Sequence, residues 1–79
     1  MWKYYKEKSE PGYLMAKTMS RKPRRHNLLD AVAADEPGDV RTVQYDMVTP
    51  QYLQIDCEPV DERDVPEDWK RALREAAGL

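Results

Sequence analysis

The longest uninterrupted aliphatic run in this chain is Ala31-Val32-Ala33-Ala34, and its apolar residues otherwise come in short pieces broken by proline, glycine and charge. A bilayer-spanning helix needs about 20 such residues, so no membrane partner is expected. Turn chemistry punctuates the chain at Ser9-Glu10-Pro11-Gly12, Glu36-Pro37-Gly38 and Thr49-Pro50, and proline followed by glycine suits a tight reversal. Elements must therefore be short, and a chain of 79 residues has room for one core only. Residues 1–79 are expected to form a single small α+β domain.

Such a core supplies only about 3 to 5 kcal/mol, and small folds often add a disulfide, a metal or a partner. Cys57 is the one cysteine, so no internal disulfide can form, and a lone thiol suits a reducing compartment. Met1-Trp2-Lys3-Tyr4-Tyr5-Lys6 is followed by no apolar segment of the kind a cleaved signal carries. An intracellular, cytoplasmic protein is expected, and the chain reads as a complete small gene product. Dimerisation across a sheet edge or an apolar helix face is a further route to stability.

Periodicity predicts two hairpins and two helices. Trp2 to Glu7 alternates aromatic and basic residues as a first strand, and Tyr13 to Met19 follows the Pro11-Gly12 turn as its partner. Both faces of that second strand are partly apolar, and neither is marked as the buried one. Ser20 and Pro23 predict a helix start, with Leu28, Leu29 and Val32 on one side and an end near Asp35. Val40 to Val48 sets Val43, Tyr45 and Met47 against Thr42, Gln44 and Asp46, and Gln51 to Cys57 sets Leu53, Ile55 and Cys57 against Tyr52, Gln54 and Asp56, a second hairpin. Asp64 and Glu67 have capping-box spacing at the start of a helix carrying Val65, Trp69, Ala72, Leu73 and Ala76. The expected fold is an antiparallel sheet of about four strands packed against two helices, in the order ββαββα. Glu-Pro-Gly occurs twice, but once in a hairpin and once after a predicted helix, which argues against an internal duplication.

The residues of chemistry do not assemble into a familiar site. A nucleophile needs a base, yet His26, the one histidine, lies in a basic stretch, while Cys57 shares a strand face with Leu53 and Ile55, where free cysteine behaves as a small hydrophobe. Zinc would want several Cys or His ligands, the acidic stretch lacks the spacing of a calcium loop, and the glycines are isolated. No catalytic, cofactor-binding or metal-ligating residue is assigned, and an enzyme is not expected.

Charge is the feature that stands out. Residues 1–26 hold eight Lys and Arg against two acids, and the remainder holds five against 13, so the net charge of −2 conceals a bipolar chain. Asp56, Glu58, Asp61, Glu62, Asp64, Glu67 and Asp68 crowd one stretch with only Arg63 among them. Such a patch suits a basic partner surface, including one that normally holds nucleic acid, although a solvated loop and helix start explain it more plainly. On the basic side stand Lys3, Tyr5, Lys6, Arg21, Lys22, Arg24 and Arg25, cations interleaved with aromatics as single-stranded nucleic acid requires. Against that, Trp2 and Tyr4 also suit a core, and a pI of 5.3 is far from that of a dedicated nucleic-acid domain. The leading expectation is a non-catalytic protein-binding module, with Tyr5 or Tyr52 as anchors. It would be a small inhibitor or accessory protein for a larger protein or nucleoprotein complex, a phage-encoded antagonist of the anti-CRISPR type included. The alternative is a small nucleic-acid-binding protein using the basic N-terminal third.

Overall fold

The computed structural model describes residues 1–18 and 28–79. Five strands, β1 (Trp2–Glu7), β2 (Tyr13–Lys17), β3 (Leu29–Ala34), β4 (Val43–Val48) and β5 (Cys57–Pro59), form one antiparallel sheet in the order β4-β3-β2-β1-β5. Two α-helices, α1 (Pro50–Ile55) and α2 (Glu67–Ala76), complete the order ββββαβα. The first four strands form a meander. Helix α1 then carries the chain across the sheet from the β4 edge to the β5 edge.

Two expected elements are corrected. The helix placed over 20–35 is, from Leu29 onward, strand β3, and its proposed start at Ser20 and Pro23 lies outside the described residues. Strand β3 sits between β2 and β4 and is covered on both faces, so Leu29, Ala31 and Val32 are all buried. A short apolar run of this kind carries no alternation that would separate it from a helix. The strand placed over 51–57 is α1. Thr49 accepts from the Tyr52 backbone N–H at 3.1 Å through its hydroxyl, and Pro50 occupies the first turn. Thr-Pro is thus an N-cap followed by proline at N1, not a reversal between strands. The capping box is corrected as well. Asp64 closes a 3₁₀ turn, Glu62–Asp64, while Pro66 stands at the N-cap of α2 with no side-chain cap bond.

The alternation of side chains divides the core in two. Leu14, Ala16, Leu29, Ala31, Val48 and Cys57 lie on one sheet face, closed by Leu53 of α1. Tyr4, Met15 and Val32 lie on the other with Val65, and α2 closes it with Trp69 and Leu73. The two helices therefore cover opposite faces. The undecided second strand is resolved in the same way, because Leu14, Met15 and Ala16 are all buried and β2 uses both faces. Tyr4 lies within the α2 layer, and its buried hydroxyl has no hydrogen-bond partner among the described residues. Its ring burial must outweigh the desolvation of that oxygen.

Both Glu-Pro-Gly tripeptides lie in connections between antiparallel neighbours, at one end of the sheet. A Cβ on Gly12 would stand 3.5 Å from the Gly38 nitrogen, and one on Gly38 would stand 3.3 Å from Pro11 Cγ. The two turns touch, and each takes a positive φ. The second tripeptide follows a strand and not a helix, so the mismatch that argued against a duplication is absent.

Candidate protein-docking surface

The acidic stretch follows the β5 edge. Asp56 ends α1, Glu58 is the middle residue of β5, Asp61 to Asp64 form the 3₁₀ turn and its cap, and Glu67 and Asp68 open α2. All seven carboxylate residues are exposed. Between them the chain is pinned. The Val60 N–H donates to the Tyr4 carbonyl at 3.0 Å, Val65 is buried, and the Asp61 carboxylate accepts from the Arg63 N–H at 3.1 Å. Pro59 and Pro66 further restrict the backbone. Sequence composition alone suggests a solvated loop here, but the geometry is a held edge.

Ion pairing does little to neutralise it. Among the described residues, Arg63 pairs with Asp61 at 3.4 Å and Lys70 with Glu67 at 3.2 Å. The third pair, Arg41 with Asp39, lies elsewhere and holds the Asp39 carboxyl below its usual range. No described basic residue of the N-terminal third forms an ion pair with the acidic stretch. Its strands nevertheless adjoin, because β1 pairs with β5. Lys6 is opposite Glu58 in the register, and the Lys8 N–H donates to the Asp56 carbonyl at 3.0 Å. Sheet order thus brings the first strand, with Lys3 and Lys6, beside the last, although the two runs of charge lie far apart in the sequence.

The basic and aromatic set does not form one platform. Tyr5 shares the α1 face with Lys3, whereas Lys6 shares the α2 face with Tyr4, because successive strand residues alternate. Tyr4 is in the core and Trp2 packs against it. Arg21, Lys22, Arg24 and Arg25 lie outside the described residues, as does His26. The tyrosines differ in exposure. Tyr5 and Tyr52 are half-buried against the α1-side cluster, while Tyr45, read as part of a buried strand face, is 59% exposed beside Met47. Alternation finds such residues but cannot tell an edge strand from a central one.

Under α1 lies a small polar network. The Tyr52 hydroxyl donates to Glu7 Oε1 at 3.3 Å. Burial, with Cys57 and Glu7 nearby, raises the Tyr52 phenol well above its ordinary value, and burial also pushes up the Cys57 thiol. Cys57 belongs to the α1-side core as expected, although Leu53 reaches it from a helix and not along a shared strand face, and Ile55 is exposed. Glu7 titrates above its usual range, chiefly because burial disfavours its charge, with Tyr52 opposing and Glu10 reinforcing the shift. The folded state therefore holds this proton more tightly than the unfolded chain. The stabilisation is complete below the ordinary glutamate value and lost as pH rises through the raised one. In Glu7→Gln, the urea midpoint should fall less than in wild type as pH rises across that window, and the wild-type chain should gain relative to the variant on acidification. A constant difference at all pH values would contradict this.

Next to α1, Tyr5, Leu29, Leu53, Cys57 and Pro59 line an open apolar groove of about 420 Å³. Among the described residues, no group of three or more His, Cys, Asp or Glu has the geometry to hold a metal ion, and no helix is long and apolar enough to cross a membrane. Comparison with family models, curated proteins and solved structures found no match.

Proposed function

We propose that this chain is a non-catalytic protein-binding module that presents the edge from Asp56 to Asp68 to a basic surface of a larger partner. The observation that carries this reading is the combination of seven exposed carboxylates with a pinned backbone and only two local ion pairs among the described residues. A fixed array of like charge arrives already ordered, so little conformational entropy is lost on docking. It also raises the encounter rate with a surface of opposite sign. The basic surfaces that best match such an array are those that hold nucleic acid. An inhibitor or accessory subunit of a nucleoprotein complex, a phage-encoded antagonist of the anti-CRISPR type among them, is the role this geometry fits.

The test is capture from a lysate of the source cell on the immobilised chain, with and without nuclease, followed by affinity measurement on the purified partner. Retention after nuclease is expected, together with a loss of affinity of at least about tenfold in the triple variant Asp61→Lys, Glu62→Lys, Asp64→Lys. Val60 and Val65 still hold the segment when the Asp61 cap is lost, so the far-ultraviolet circular dichroism spectrum should stay close to that of wild type. Release by nuclease, with a salt dependence that falls in Arg24→Ala, Arg25→Ala, would replace this reading with nucleic-acid binding.

A further inference from the structure

The two edges of the sheet are unequal. Strand β5 has three residues, carries the charge of Glu58 and ends in Pro59, which has no N–H to offer. Those are the usual means of blunting an edge. Strand β4 has six residues, Val43–Val48, with no proline and no lysine, and one side of it faces no other strand among the described residues. The Thr42 carbonyl accepts from the Asp35 N–H on the β3 side. The backbone groups of a strand alternate in direction, so those of Val43, Tyr45 and Met47 point outward. Consistent with this, the Met47 N–H donates to its neighbour's side chain, Asp46 Oδ1, at 2.7 Å. Tyr45 and Met47 are exposed there, at 59% and 44%.

We propose that β4 pairs antiparallel with β4 of a second copy about a two-fold axis at Tyr45, joining two sheets into one. This register sets Tyr45 against Tyr45 and Val43 against Met47, each pair exchanging two main-chain hydrogen bonds. On the other face it sets Asp46 against Gln44, twice. Gln44 already donates to Asp35 through its amide nitrogen, and the second N–H of that nitrogen is left for the carboxylate. Shifting the axis to Asp46 would instead oppose two carboxylates, which is unfavourable. Side chains on the α2 face agree with the same choice. Met47 of one copy meets Val43 of the other, and Val43 with Val40, Ala72, Ala76, Arg41 and Glu75 lines an open groove of about 450 Å³ at this edge, part apolar and part polar. The exposed thioether thus has the apolar part of that groove, Val40, Val43, Ala72 and Ala76, to enter. A net charge of −2 per chain offers little repulsion to association.

Sedimentation equilibrium from micromolar to millimolar concentration tests the proposal with two substitutions at one exposed position. Wild type should show a monomer–dimer equilibrium. Gln44→Lys, facing Asp46 of the other copy, should lower the dimer Kd by about tenfold, and Gln44→Glu should raise it by about tenfold. Opposite shifts from a single site cannot arise from damage to the monomer fold. A monomer at every concentration would overturn the proposal, as would a dimer whose Kd is unmoved by both substitutions or moved in the same direction by both.

Discussion

Replacing Leu73 with alanine should leave this protein largely unfolded at room temperature. Leu73 is fully buried, and with Trp69 it is the means by which α2 covers Tyr4, Met15 and Val32. Truncating a buried leucine costs about 2 to 5 kcal/mol, the upper values applying where the surroundings cannot collapse into the space. Strands fixed by their own hydrogen bonds line one side of that space, so the higher part of the range is expected. A core of this size supplies only about 3 to 5 kcal/mol in total, and the loss is comparable to the whole. Urea titration followed by circular dichroism and tryptophan fluorescence would measure it. Arg74→Ala, one residue along on the exposed side of the same helix, should change stability by less than about 0.5 kcal/mol. Equal effects at the two positions would mean that α2 does not close the sheet as described.

The second large effect is expected at Gly12. Its φ of +143° belongs to a region used almost only by glycine, and forcing another residue there costs about 1 to 3 kcal/mol. A methyl fits there, but little more. A Cβ would sit 3.5 Å from the Gly38 nitrogen and 3.7 Å from Trp69 Cη2, so substituents beyond a methyl would push the turn away from α2. Gly12→Ala should therefore lower the urea midpoint clearly, and Gly12→Val more so. Gly78 supplies the control. Its φ is +78°, but nothing lies within 4 Å of its would-be Cβ, so alanine there meets backbone strain alone. The measurement is the extra fall in midpoint on going from alanine to valine at Gly12 over that at Gly78. Its absence would show that the contact between the two turns carries no energy.

What could be recognised in the residues beforehand divides along a physical line. Strand β1 has the bounds expected of it, Trp2–Glu7, because each face has its own chemistry and the turn after it is specified by Pro11 and Gly12. Helix α2 was recognisable from Trp69, Leu73 and Ala76, whose spacing survives any choice of tertiary neighbours. Strand β3 was not, since Ala31, Ala33 and Ala34 favour a helix locally and only burial between β2 and β4 makes the run a strand. Helix α1 failed for the opposite reason. In six residues, Leu53 and Ile55 fit the alternation of a strand, whereas on the helix they point apart, Leu53 buried and Ile55 exposed, and the cap at Thr49 decides the matter. Of the docking surface, the exposure of the acids was legible in the sequence and their rigidity was not. That rigidity comes from Val60 bonding to Tyr4 and from Val65 in the core, contacts made across more than fifty residues of chain.

The separation of the two helices onto opposite faces bears on how the chain acquires its fold as it leaves the ribosome. Strands β1 to β4 are sequential neighbours and can pair as they emerge, but the layer that shields Trp2, Tyr4, Met15 and Val32 is translated after all five strands. Until then the nascent sheet shows a greasy, aromatic surface to its surroundings, and folding intermediates with such surfaces are prone to aggregate. Premature termination before Glu67 would therefore yield a sticky fragment, not a smaller working protein.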